Sequence, residues 1–425
     1  MPASTLSVAG PLAAPVVTAL VAAMAIVTAT AAATASAAGG GCGFTETGAA
    51  AAGLASDNLD NCSARAEEPS ALVQTRQAAA QKRRQVACPP GAEITGRRDL
   101  VEDIEVANGV CEVSNFATQG SILVSGSGSL VVAQEVGGPR SQVGGDIAIT
   151  DGSGRMQLAG LDVAGSVTIN GVGADISVHD TKIDGVAGLL VENIQGSLTI
   201  ERASMPILEV AGLDGGMILA AAQIPEVAFV GSGDLDIRTG CHLESVSAEA
   251  SGSVRIQGPN ATTVEVSLKD CGDLSAGAGA NLGDMDVEFS GRIHIGGNAV
   301  AMGIKAISSQ ELVINSASVA EVEVVGMAGT VDLSGIDVSG YVKVKECEGD
   351  IVLDGVTMAG LECELVQGRI VASGSHITEA KLIKNSGGVA LIDNVLEKLE
   401  CKENQPAPEV RGNKMASPAV GGQCR

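Results

Sequence analysis

Recurrence is what most constrains this chain. Between residues 147 and 402 an apolar-x-apolar unit returns about every ten residues, and every nine to eleven across 329–368, as at Val331-x-Leu333, Val342-x-Val344, Ile351-x-Leu353 and Leu361-x-Cys363. The units form two interleaved series. One starts at Ile147, Val167, Leu189, Leu208, Val227, Val246, Val264, Met285, Ile304, Val322, Val342, Leu361, Leu382 and Leu399. The other starts at Met156, Ile176, Leu198, Met217, Leu235, Val254, Leu274, Ile293, Leu312, Val331, Ile351, Ile370 and Val389. Each series has a mean spacing of about 19.4 residues. Within a unit the apolar period is two, which puts alternate side chains on one face of a short strand. Gly, Asn, Asp and Ser fill the gaps, and no gap holds an amphipathic helix.

A strand pair of this size cannot bury its apolar side alone, so coil must stack on coil. The expected fold is therefore all-β: a single-stranded parallel β-helix, or solenoid, of about 14 to 15 coils. Composition agrees. Apolar residues make up 45% of 425 residues, enough for a core, yet there is no Trp, one Tyr and four Phe. A narrow spine has room for Ala, Val, Ile and Leu but not for many rings. A leucine-rich repeat has a similar period but demands Leu at fixed slots and an Asn or Cys in the turn. Here the slots accept Val, Ile, Leu, Met or Ala, and no Asn column is read.

The sequence divides into 1–38, a signal peptide or anchor; 39–87, a linker or pro-segment of poorly ordered or partly helical character; 88–146, an N-terminal cap with irregular first coils; 147–402, regular coils; and 403–425, a C-terminal cap. The apolar run 16–27 followed by Ala33-x-Ala35 and Ala35-x-Ala37 has the form of an export signal, although no basic residue precedes it. Extended over 16–38 it is long enough to be an uncleaved membrane anchor. Lys82-Arg83-Arg84 offers a processing point before the repeats. Ten cysteines suit an exported chain, and a secreted or cell-surface location is expected. The pairs expected to close the two ends are Cys88 with Cys111 and Cys401 with Cys424. Cys363 is read as a buried thiol or a partner of Cys347, and Cys42 with Cys62 as a loop in the pro-segment.

Cys88, the segment GVCEVSNFATQGSILV, Gly138-Pro139-Arg140-Ser141 and the tail GGVALIDNVLEKLECKENQPAPEVRGNKMASPAVGGQC at 387–424 resemble a group of secreted bacterial right-handed β-helix repeat proteins of uncharacterised function. The resemblance covers about residues 88–425. It implies a β-helix with Cys-bounded ends and export, and it implies no mechanism. This chain has more coils, a long segment before Cys88 and additional cysteines.

Net charge is −24, and residues 1–87 are balanced, so the excess lies on the repeats. Such a surface repels nucleic acid and anionic membrane. Candidate partners are cations, a cell-wall polysaccharide or a basic protein surface. No cofactor is expected, and CxxC metal spacing is not found. The sharpest outward feature is a column of carboxylates between the inward pairs of the first series, Glu209, Glu265, Asp286, Glu323, Glu362 and Glu400, interrupted by Lys305 and Lys343. Stacked carboxylates repel unless screened, which makes the column a candidate for loose calcium binding. Histidine is scattered: His179-Asp180 is the one His-Asp neighbour pair, His294 is read as outward on a strand, and His242 and His376 as turn residues. Asn61 and Asn260 head glycosylation sequons. The function expected is an exported non-enzymatic structural or binding scaffold; the alternative is a polysaccharide-active lyase or hydrolase, which parallel β-helices also host.

Overall fold

The computed structural model describes residues 85–424, apart from 98, 99, 135–137 and 278. It is all strand and turn, with every pairing parallel. Strands of the first series stack on one another one coil apart, as do those of the second, and in the second the register is unbroken: Val331, Ile351, Ile370 and Val389 are aligned partners. Their alternate side chains are buried, so Val331 with Leu333 and Ile351 with Leu353 lie directly over each other in the spine.

A third face completes each coil. Seventeen rungs run along it: Leu100, Thr118, Val143, Val163 and Ile183 align over the first five, and the column that passes through Lys182, Ser204, Gln223 and His242 continues to Lys414. The count therefore exceeds the expected 14 to 15 coils. Two regions account for the excess. At the N-terminus, Asp103–Ser114 and Ile122–Ala133 are long strands that cross from the first face to the second and pair on both. At the C-terminus, Glu409–Arg411 and Lys414–Met415 add rungs to the second and third faces, so the closing segment is itself a coil. Most coils give the third face a buried pair two residues apart, such as Leu161 with Val163 or Ile336 with Val338, but the first place is often a small or polar residue, as at Ala261, Ala280, Ser375 and Asn394, which hides the period in the sequence.

The turn chemistry has specific causes. Aspartates just before second-face strands reach forward by one coil: Asp175, Asp234, Asp273 and Asp350 accept from the backbone N–H of Ser197, Ser253, Arg292 and Arg369 at 2.7 to 2.9 Å. Beside them runs a glycine column; a Cβ at Gly349 would collide with the Gly329 carbonyl, and one at Gly233 with that of Gly215. Two corners of most coils hold a residue with positive φ. Most such residues are Gly, Asn or Asp, but Phe289 and Leu365 also adopt φ of 53° and 58°, which strains an L side chain.

Near the C-terminal end the buried corners are built from asparagine. Asn385 donates from its N–H and Nδ2 to Asn404 Oδ1 at 3.0 and 2.9 Å, and Asn404 Nδ2 donates to the Leu382 carbonyl at 2.8 Å. At the other corner Asn394 N–H donates to Asn413 Oδ1 at 2.7 Å, and their amides donate to the carbonyls of Ala372 and Leu391. An Asn column thus exists, confined to the last coils, where sequence reading found none. Its signature is the 19-residue separation within each pair.

Both expected end pairs stand at disulfide distance, with Cα separations of 6.0 Å for Cys88–Cys111 and 5.7 Å for Cys401–Cys424. Cys347 and Cys363 do not pair; both are buried free thiols, as are Cys241 and Cys271. Burial pushes the Cys363 thiol far up, beyond any range in which it would ionise. Cys42, Cys62, Asn61, Lys82-Arg83-Arg84 and the 16–38 segment lie outside the described residues. Among the described residues no helix is long and apolar enough to cross a membrane.

Candidate functional site

The register redraws the carboxylate column. On the first face the outward residues align as Asp286, Lys305, Glu323, Lys343, Glu362, Lys381 and Glu400, strictly alternating in sign. Two readings of the sequence are corrected by this. Val264 does not open the first-face unit; it is 59% exposed, and Val266 with Leu268 are the inward pair. Glu265 therefore aligns with Ser245 and Asp284 in a neighbouring column. Likewise Ala380 and Leu382 are the inward pair, which makes Lys381 the outward residue between them. Three alternating apolar residues at 264–268, and an alanine in an inward slot at 380, are what hid the register. Glu209 stands apart, separated from Asp286 by Ala228, Ser247 and Ser267.

Opposite charges at strand spacing attract where a carboxylate ladder would repel. Lys305 lies 3.6 Å from Asp286; Lys343 turns sideways to Glu321 at 2.6 Å, and Lys398 meets Glu379 at 2.6 Å. Among the described residues no group of three or more His, Cys, Asp or Glu is placed to hold a metal ion. Glu209 differs: it is half-buried, and its partial burial, followed by repulsion from Glu226 and Glu192, holds its proton affinity above the ordinary glutamate range.

All four histidines are on strands. His179 ends Ile176–His179, His294 lies outward in Arg292–Ile295, and His242 and His376 open His242–Glu249 and His376–Ile383 on the third face. The assignment of the last two to turns is thus corrected. Asn260 sits exposed in a turn with φ of 64°.

A charged cluster gathers where the second face of the early coils turns into the third. Arg202 forks onto Asp180, with Nε to Oδ1 at 2.7 Å and Nη2 to Oδ2 at 2.9 Å, and also pairs with Glu201. This guanidinium holds the Asp180 carboxyl below its usual range. His179 Nδ1 lies 3.3 Å from Glu201 Oε2. From the Gly138-Pro139-Arg140-Ser141 segment, Arg140 reaches across two coils: its Nη2 donates to the carbonyls of Leu161 and Asp180, and its Nε lies 2.8 Å from Asp162 Oδ1. Sequence reading singled out both His179-Asp180 and this segment; the fold brings them together.

Asp162 also lines a groove of about 800 Å³ on the third face of the first coils. One lip carries Gln142 and Asp162, the other Gln119 and Asp184, and Ala117 and Ala164 lie along it. Both carboxylates have cations of their own, Asp162 from Arg140 and Asp184 from Lys182, each at 2.8 Å. A shallower hollow of about 450 Å³ lies further along the same face beside His242 and Val264. Comparison with known protein families, curated sequences and solved structures finds no match to this chain.

Proposed function

We propose that this chain is an exported, non-enzymatic binding scaffold that presents the third-face groove of its early coils to an extracellular ligand. One observation carries the reading: the groove's two carboxylates are each held in an ion pair with a cation of the chain itself. General acid–base chemistry uses carboxylates set to exchange a proton near neutral pH. Carboxylates paired with Arg140 and Lys182 are instead placed to accept hydrogen bonds and fix shape. The Cys pairs at both ends and the cluster of early-coil ion pairs support a rigid body suited to an oxidising exterior.

The polysaccharide-active enzyme draws on a different residue. Glu209 has raised proton affinity and two further carboxylates near it, as a general acid would require. The test is to collect the protein from the medium of an expressing culture and incubate it with neutral and acidic polysaccharides, with and without calcium. Under the scaffold reading no new reducing ends and no unsaturated products form. Products that vanish in a Glu209→Gln variant would replace the scaffold by the enzyme.

A further inference from the structure

The groove also carries information about what it binds. Its lips are built from two amides and two carboxylates. Gln119 and Gln142 are exposed and make no side-chain hydrogen bond within the described residues, so their donors and acceptors are open to a ligand. Asp162 and Asp184 keep lone pairs available after pairing with Arg140 and Lys182. On a chain of net charge −24, the groove is locally balanced, two carboxylates against two cations. A cationic peptide would find stronger attraction elsewhere on the surface, and an anionic polymer would be repelled by the molecule as a whole.

The layout is periodic as well. The groove lies across five third-face rungs, Leu100, Thr118, Val143, Val163 and Ile183, and adjacent rungs are about 4.8 Å apart. An extended sugar chain advances by close to one rung per ring. Small side chains at Ala117 and Ala164 leave the path along the solenoid axis open, while neighbouring coils offer an amide or a carboxylate to successive hydroxyls. We propose that the groove binds an uncharged polysaccharide lying parallel to the solenoid axis, with Gln119, Gln142, Asp162 and Asp184 contacting its hydroxyls.

This rests on the scaffold reading, and one experiment separates their failures. Calorimetric titration of the full chain with cello-, xylo- and chito-oligosaccharides of two to six units gives affinity, while chromatography of the same mixtures detects cleavage. For at least one series, affinity rises with length and levels off at about five units, the number of rungs. Binding is unchanged by added salt, and the Gln119→Ala/Gln142→Ala double variant weakens it about tenfold, roughly two lost hydrogen bonds. Ala164→Glu, which places an unpaired charge in the groove, abolishes it, and Asp337→Asn, far along the same face, leaves it unchanged. Absence of binding in every series, binding without length dependence, binding indifferent to the double variant, or salt-sensitive binding of polylysine alone would each overturn the ligand class. Bound sugar that is also cleaved would overturn the scaffold reading and leave the ligand class standing.

Discussion

Glu209 is the residue whose setting works against the folded state. Its folded-state proton affinity is raised by partial burial and by Glu226 and Glu192, so as pH rises the folded chain gives up this proton later than the unfolded chain does. The resulting destabilisation is present at neutral pH and fades as pH falls through the ordinary glutamate range. Glu209→Gln is therefore expected to raise the melting temperature at pH 7, with the gain shrinking as pH falls through that range and vanishing below it, where both states of the native residue are protonated. Melting curves of the two proteins across that interval check it. The turn residue Asp175 has the opposite sign. Asp175 is held below its usual range by the Ser197 backbone N–H and hydroxyl, so its contribution is present at neutral pH and lost on acidification.

At the scale of the element, the corner asparagines tie coil to coil. Asn404 Oδ1 receives the Asn385 N–H and amide, and its own amide serves the Leu382 carbonyl, all in a buried corner. Asn404→Ala leaves a buried N–H and a carbonyl without partners, an expected loss of about 2–4 kcal/mol. Because each coil contacts only its neighbours, that loss falls on the last coils, and hydrogen exchange is expected to show lost protection around 385–415 with little change near 250–300. The strand starts of the second face were legible in the sequence because nearly every coil supplies two strongly apolar residues to it, with Ala276 and Ala372 as exceptions. The first face was misread at 264 and 382, where apolar residues were one too many or one too small. The third face also buries a pair in most coils, but Ala, Ser, Thr or Asn often takes its first place, so the pattern was faint and the groove built on it was not foreseen. Its components could: Arg140 and His179-Asp180 stood out in the sequence, and only their meeting required the fold.

For the whole molecule the exposed ends decide stability, since an open stack unravels from its termini. Each Cys pair closes a loop with a sequence separation of 23 residues, and loop entropy gives such a closure about 3 kcal/mol. Replacing Cys401 and Cys424 with Ser is expected to open the final coil first, seen in urea unfolding as an early transition absent from the oxidised parent and brought out in it by reductant. The third-face groove lies at the opposite end and is expected to keep its ligand affinity in that variant.

The alternating column from Asp286 to Glu400 also gives the stack a parity. Excising the one coil that holds Lys343 would bring Glu323 against Glu362, and every pair beyond would keep its order only by accepting that clash. Excising two coils would restore attraction at the seam. Over this stretch the solenoid can therefore lengthen or shorten without penalty only by even steps, which makes a coil pair, and not the single turn, its natural unit of growth.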